Sequence, residues 1–289
     1  MADKASNTIA FQGRSGAYSE LASRLAYPRM RTLPTSEFED TFAAVRGGAA
    51  RFAMIPIENS VAGRVADIHW LMPDSGLCII AEHFLRVNHH LLAPPGATLK
   101  TVRTVHSHVH ALGQCGKLIA KLGLEAVVHA DTAGAAAEIA AADDPTQAAI
   151  ASALAGKIYS LKSLCANVED AEHNTTRFLV MSRRATRPKR GARLPVTTFV
   201  FRVRNVPAAL YKAMGGFATN GVNMTKLESY MLGGEFNATQ FYADIEGDPR
   251  DRNVKLALEE LSFFTAELRI LGTYPSAPFR HGGRALTAA

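Results

Sequence analysis

Phe52-Ala-Met-Ile-Pro56-Ile-Glu-Asn-Ser60 joins an apolar run to a carboxylate, an amide and a hydroxyl within nine residues. The first half has the length and character of a buried strand, and the second puts polar groups at its end. A second stretch, Asn174-Thr-Thr-Arg177-Phe-Leu-Val-Met181, has the same parts in reverse order, polar groups first and the apolar run after. Polar groups at the ends of buried strands are where open α/β sheets hold ligands. Together the two stretches offer a carboxylate, amides, hydroxyls and a guanidinium. That set suits a small anionic substrate that needs a proton donor better than it suits a metal, a nucleotide or DNA.

Outward from these stretches, short apolar runs alternate with helical patterns. Strands are expected over 9–12, 52–55, 102–105, 126–129, 148–151 and 178–181. Helices are expected over 18–27, 37–46, 109–122, 132–142 and 153–159, with Asp131 or Thr132 as a cap and Gly123 as a stop. Strand–helix alternation implies an α/β fold with a mostly parallel sheet. The long strand-like segment 77–93 reads as a crossover between two lobes flanking a cleft. No glycine fingerprint for a dinucleotide and no P-loop is present.

At 289 residues the chain has room for two domains, and 47% hydrophobic with 20% charged residues is ordinary for a globular protein. No secretory h-region and no run long enough to span a membrane occurs, so a cytoplasmic location and no membrane partner are expected. Cys78, Cys115 and Cys165 are scattered and odd in number, which fits plain thiols in a reducing compartment. The net charge of +6 comes from one acid-free stretch holding Arg183, Arg184, Arg187, Lys189, Arg190 and Arg193; without these six, 26 basic residues balance 26 acidic ones. A basic run with Pro188 and Gly191 and no interleaved aromatics reads as a solvated linker, and nucleic acid is not an expected partner. His106, His108 and His110 alternate without a supporting acid, too little for a metal site.

After the linker, strands are expected over 196–203, 223–231, 236–246 and 267–274, with helices over 207–220 and 250–263 and a hairpin turn at Gly233-Gly234. The order is βαββαβ, a ferredoxin-like unit. Units of this shape often pair edge to edge and bind a ligand at the shared interface, so a regulatory or dimerising module is expected.

Five motifs in this order resemble the prephenate dehydratases that carry a C-terminal ACT domain, over roughly residues 8–275. They are Phe11-Gln-Gly-Arg-Ser-Gly-Ala-Tyr-Ser-Glu20, Pro56-Ile-Glu-Asn-Ser60, Ser107-His108 with Gln114-Cys115, Asp131-Thr-Ala-Gly-Ala-Ala136 and Asn174-Thr-Thr-Arg-Phe178. The wording of the first and fourth also resembles plant-type arogenate dehydratases. The resemblance implies a two-lobed α/β catalytic domain, type II periplasmic-binding-protein-like, over 1–182. A basic linker follows over 183–195, then an α+β ferredoxin-like ACT domain over 196–277 and a tail over 278–289. It implies removal of carbon dioxide and water from prephenate to give phenylpyruvate, with no cofactor and no metal.

The resemblance assigns catalysis to Thr176, with Arg177, Asn59 and Ser60 beside it. Arg177 either clamps a substrate carboxylate or pairs with an acid such as Glu58. Glu58 next to a dianion is either protonated or held as scaffold. Substrate contacts are expected from Ser107, Gln114, Glu58, Gly16, Thr175 and Phe178, whereas Arg14 and Ser15 carry little weight. In the C-terminal module the effector motifs appear as Ala208-Ala209-Leu210 and Glu228-Ser229-Tyr230-Met231, with Asn223 as a further polar contact. Tyr230 and Met231 replace the family's Arg and Pro, which alters part of that pocket. Phenylalanine is the expected effector and a homodimer or homotetramer the expected assembly. The competing reading is a non-catalytic amino-acid sensor, which has no reason to pair Thr176-Arg177-Phe178 with Glu58-Asn59-Ser60.

Overall fold

The computed structural model describes residues 7–189, 194–204, 206–231 and 238–287. In chain order the elements begin β1 (Thr8–Gln12), α1 (Tyr18–Ala26), β2 (Arg31–Thr35), α2 (Phe38–Arg46), β3 (Phe52–Asn59), β4 (Gly63–Arg64), α3 (Ala66–Leu71), β5 (Cys78–Arg86) and β6 (His90–Ala93). Then come β7 (Thr104–Ser107), α4 (Val109–Gly113), α5 (Gly116–Leu122), β8 (Glu125–Val128), α6 (Thr132–Ala142), β9 (Gln147–Ala151), α7 (Ala153–Ile158), β10 (Lys162–Ala166) and β11 (Thr175–Ser182). The last are β12 (Pro195–Val203), α8 (Ala209–Thr219), β13 (Met224–Met231), β14 (Ala238–Glu246), α9 (Arg252–Phe264) and β15 (Thr265–Pro275).

Two sheets precede the basic stretch. The first has the order β2-β1-β3-β11-β5, with β4 hairpinned onto β3. Its neighbours β2, β1 and β3 run parallel, so their carboxyl ends emerge on one edge. Ile9, Ala10, Phe11, Met54 and Ile55 are wholly buried, as a sheet covered on both faces requires. The second sheet has the order β10-β6-β9-β7-β8 and mixes parallel with antiparallel pairs. The segment expected as a crossover divides into β5 of the first sheet and β6 of the second.

The expected helix over 109–122 is two helices, parted at Gln114-Cys115. Cys115 leaves helical geometry at φ −122°, ψ 22°, and the Asp170 carboxylate accepts from the Lys117 N–H at 3.2 Å. A cap supplied from a distant loop thus starts a new helix inside one apolar pattern.

The chain divides into two compact units, Met1–Ile68 with His83–Phe178 and Gly283–Ala289, and His69–Glu82 with Leu179–Gly282. In the second unit β12, α8, β13, β14, α9 and β15 follow the βαββαβ order, with sheet order β13-β14-β12-β15 and every adjacent pair antiparallel. Phe199, Phe201, Phe217, Phe241, Ile245, Val254 and Leu261 form its core. The two helices approach closely at Gly216, where a β-carbon would lie 2.7 Å from that of Glu260. A polar cluster is also buried in this unit. Thr198 Oγ bonds Asp244 Oδ1 and the Tyr274 hydroxyl at 2.6 Å each, and Arg280 donates to Glu82 at 2.6 and 3.0 Å. Residues 278–281 of the expected tail form a 3-10 turn, and in the first unit Leu286 bridges to Leu85. The expected hairpin turn at Gly233-Gly234, and Arg190, Gly191 and Arg193 of the basic stretch, lie outside the described residues. Arg183, Arg184, Arg187 and Lys189 are exposed.

Candidate active site

A cavity of about 860 Å³ in the first unit opens at the carboxyl ends of β1, β2 and β3. Gln12, Thr35 and Asn59 line it from those strand ends, and Thr176 and Phe178 from β11. Ala17, Glu37 and Asp131 line it where α1, α2 and α6 begin. Three helix N-termini therefore border one space; the Glu37 and Asp131 carboxylates cap α2 and α6, and the start of α1 carries no side-chain cap. Arg14 is the one cation among the described lining residues. Its guanidinium is exposed and makes no hydrogen bond or ion pair to the described residues.

Thr176 and Asn59 sit at the centre of a directed hydrogen-bond chain. The turn after β3 brings the N–H groups of Val61 and Ala62 onto Asn59 Oδ1, at 2.9 and 2.8 Å. That fixes which end of the amide is which. Asn59 Nδ2 then donates to Thr176 Oγ1 at 2.9 Å and to Asn174 Oδ1 at 2.8 Å. Thr176 Oγ1 is an acceptor from Asn59, so its own proton is free for a group in the cavity. Strand alternation does the aiming: Thr175, Arg177 and Phe178 are buried, and Thr176 alone of the four is half-exposed.

The other expected site residues divide by position. Phe178 lines the cavity. Arg177, only 2% exposed, donates through Nη1 to Glu58 Oε1 at 2.9 Å; neither lines the cavity, so the pair reads as scaffold and not as a carboxylate clamp. Ser60 faces the start of β11, where its hydroxyl donates to the His173 carbonyl at 2.6 Å and accepts from the Thr175 N–H at 2.9 Å. Ser107 is wholly buried and donates to the Ile150 carbonyl at 2.6 Å. Gln114 bonds Asn174 and His89. Gly16 contributes backbone: its N–H donates to Glu20 at 2.7 Å, and its carbonyl accepts from Ser152, the N-cap of α7, at 2.6 Å. A β-carbon on Gly16 would lie 2.8 Å from Ala155 Cα, at φ +93°. Of the ten expected site residues in this unit, the side chains that reach the cavity are those of Asn59, Thr176 and Phe178.

Sequence reasoning gave Arg14 little weight, named Asp131 only as a helix cap, and passed over Tyr18, His89 and Tyr159 as site residues. The Tyr159 hydroxyl donates to the Ser15 carbonyl at 2.8 Å, tying α7 to the loop after β1. Asp131 caps α6 through the Gly134 N–H at 2.6 Å. Burial lowers the pKa of His89 and raises that of Tyr18 well above its usual value. The Cys115 thiol is pushed up to about 12, chiefly by burial, and is inert. Among the described residues no group of three or more His, Cys, Asp or Glu is placed to hold a metal ion, and no helix is long and apolar enough to cross a membrane.

In the second unit Ala209 is buried at the start of α8, and Leu210 packs against the core. Asn223 donates to Glu246 at 2.9 Å, and Glu228 accepts from Lys226 at 3.1 Å. Ser229 lies on the edge strand β13, opposite Phe241.

The fold and cavity define a mixed α/β protein with a polar, hydroxyl-bearing cavity at the strand ends. The prephenate dehydratase family model matches residues 9–186. A Komagataeibacter europaeus protein described as a bifunctional N-acyl-homoserine lactone acylase/prephenate dehydratase is 55% identical over 273 residues, 94% of this chain and 97% of its own. The chloroplastic arogenate dehydratase/prephenate dehydratase 2 of Arabidopsis thaliana is 38% identical over 276 residues, 92% of this chain and 72% of its own. The crystal structure of prephenate dehydratase in complex with L-Phe from Arthrobacter aurescens aligns with a TM-score of 0.86 at 30% identity, covering 97% of this chain and 93% of that one. The chain belongs to the prephenate dehydratase family, a family of carbon–oxygen lyases.

Proposed function

We propose that the protein catalyses the decarboxylative dehydration of prephenate to phenylpyruvate in phenylalanine biosynthesis. The observation that carries this is the Asn59–Thr176 hydrogen bond at 2.9 Å, which leaves a hydroxyl proton available inside a cavity that Arg14 also lines. Arg14 and the start of α1, which no side chain caps, hold the dianion. The C–C bond to the ring carboxylate breaks to release carbon dioxide, and its electron pair enters the ring. The opposite C–O bond breaks as the leaving oxygen takes the Thr176 proton and departs as water. Thr176 regains a proton from solvent, so one proton is consumed per turnover. Aromatisation supplies the driving force, and the site supplies orientation and the donor.

The two sheets of the first unit act as the lobes of a periplasmic-binding-like clamp. The βαββαβ module acts as an ACT domain that binds phenylalanine where two copies meet edge to edge, through Ala209, Leu210, Asn223, Glu228 and Ser229. The Arthrobacter aurescens relative in complex with L-Phe supports that effector. The assembly is a homodimer or homotetramer, and its three free thiols suit the cytoplasm.

Purified protein is assayed with prephenate and with arogenate, each with and without phenylalanine. Phenylpyruvate from prephenate, suppressed by phenylalanine, is the expected result. Turnover of arogenate alone moves the substrate to its amino analogue, and turnover of neither, with phenylalanine bound tightly, favours the sensor. A second reading rests on the 55% relative, whose description includes N-acyl-homoserine lactone acylase. Release of free homoserine lactone from an N-acyl-homoserine lactone supports it, and no release from any acyl length removes it.

A further inference from the structure

The chain of hydrogen bonds that ends at Thr176 begins at a buried histidine. With Asn59 locked by two backbone N–H groups, Asn174 Oδ1 is an acceptor and Asn174 Nδ2 a donor, which meets Gln114 Oε1 at 2.8 Å. The same Gln114 oxygen lies 2.9 Å from His89 Nε2. An oxygen there requires a proton on Nε2. His89 is 3% exposed, and its backbone N–H donates to Glu169 at 2.8 Å. Burial disfavours its cation, so Nδ1 is bare. The Tyr18 hydroxyl lies 2.8 Å from Nδ1, edge-on to the ring at 87°, and also donates to the Asn88 carbonyl at 2.9 Å, so its one proton is shared between two acceptors.

We propose that His89 is a positioning residue whose Nε2–H matches the direction that Asn59 imposes on Asn174 and Gln114, and so steadies the Asn59 amide that holds Thr176. The opposite tautomer sets a bare Nε2 against Gln114 Oε1. Turning the Gln114 amide over relieves that clash but sets its NH₂ against Asn174 Nδ2, and turning Asn174 passes the conflict to Asn59. Asn59 cannot turn without stranding two backbone N–H groups. The mismatch therefore stops at the Asn174–Asn59 hydrogen bond, one of the contacts that hold the amide donating to Thr176. Gln114 acts here through its neighbours, not through the substrate.

This inference rests on Thr176 being the proton donor, and the test separates the two. Nitrogen-15 NMR of the full-length protein, labelled at histidine and assigned with His89→Gln, reads the tautomer without any assay. A protonated Nε2 and a bare Nδ1 at neutral pH are expected, and the reverse overturns the proposal. In turnover, His89→Gln keeps an N–H near the ε position and stays within about tenfold of wild type. His89→Phe loses the donor, and kcat falls about 10- to 100-fold with KM nearly unchanged, the scale seen when partners that orient reacting groups are removed. Wild-type kcat in His89→Phe beside an inactive Thr176→Ala overturns the role of His89 alone. An active Thr176→Ala overturns the reading beneath it. If His89→Phe does not fold, the NMR tautomer decides.

Discussion

Asn59 shows most directly how a local backbone shape becomes chemistry. The turn after β3 turns two N–H groups back onto its side-chain oxygen, which forces both amide protons toward Asn174 and Thr176. Asn59→Asp keeps the acceptor for Val61 and Ala62 but removes the donor to Thr176. Phenylpyruvate formation should fall about 100-fold or more, the scale for losing one aimed donor, with the folded spectrum kept. A kcat within a few-fold of wild type would show that Asn59 does not orient Thr176. Arg177 belongs to stability instead. Removing it takes a hydrogen-bond partner from the half-buried Glu58, so Arg177→Ala should lower unfolding stability by about 1–3 kcal/mol in denaturant titration. An unchanged midpoint would contradict the scaffold reading. The motif Asn174-Thr-Thr-Arg-Phe178 was legible in sequence, but the division of labour within it was not. Period-2 alternation predicts that Thr176 and Arg177 point oppositely, yet which faces the cavity depends on the neighbours of β11.

At the scale of elements, apolar strands and capped helices were legible. Strands β1, β3, β9 and β11 carry runs of fully buried residues, and α6 begins and ends where the sequence places it. Strands β2 and β10 were not legible. Both are edge strands with exposed residues, and β2 contains Pro34, so neither leaves an apolar signature. The break between α4 and α5 was hidden for another reason, because its cap, Asp170, lies more than fifty residues away in sequence. Cavity geometry likewise rests on a distant contact, Gly16 against α7. Gly16→Ala puts a methyl at φ +93° and into Ala155, so it should both lower the unfolding midpoint and raise KM. A variant with wild-type KM and midpoint would show that this loop closes over nothing.

Across the whole molecule, the shifted histidines point to one direction of pH dependence between pH 7 and 5. Burial lowers the pKa of His89, His90, His106 and His108 below the usual 6.5. Each binds its proton more readily unfolded than folded, so their contribution is fully present above about pH 6.5 and is lost as pH falls toward the folded values. Thermal midpoints should therefore decline from pH 7 to 5, and His89→Gln should flatten part of that slope. A midpoint that rises on acidification would contradict the burial of these rings. The two-unit division was only partly legible. A basic stretch marks a boundary by composition, but the compact second unit also takes in His69–Glu82, where Glu82 receives Arg280. Contacts between segments this far apart leave no mark on local sequence.

The central claim is that the Thr176 hydroxyl delivers the proton that lets the leaving oxygen depart as water. The most direct measurement compares phenylpyruvate formation from prephenate by the wild-type protein and by Thr176→Ala, with folding checked by circular dichroism. The account predicts turnover in the first and at least about a hundredfold loss of kcat in the folded variant, on the scale of about 10²–10⁴ that positioned proton donors supply. Near-wild-type turnover by Thr176→Ala would contradict it.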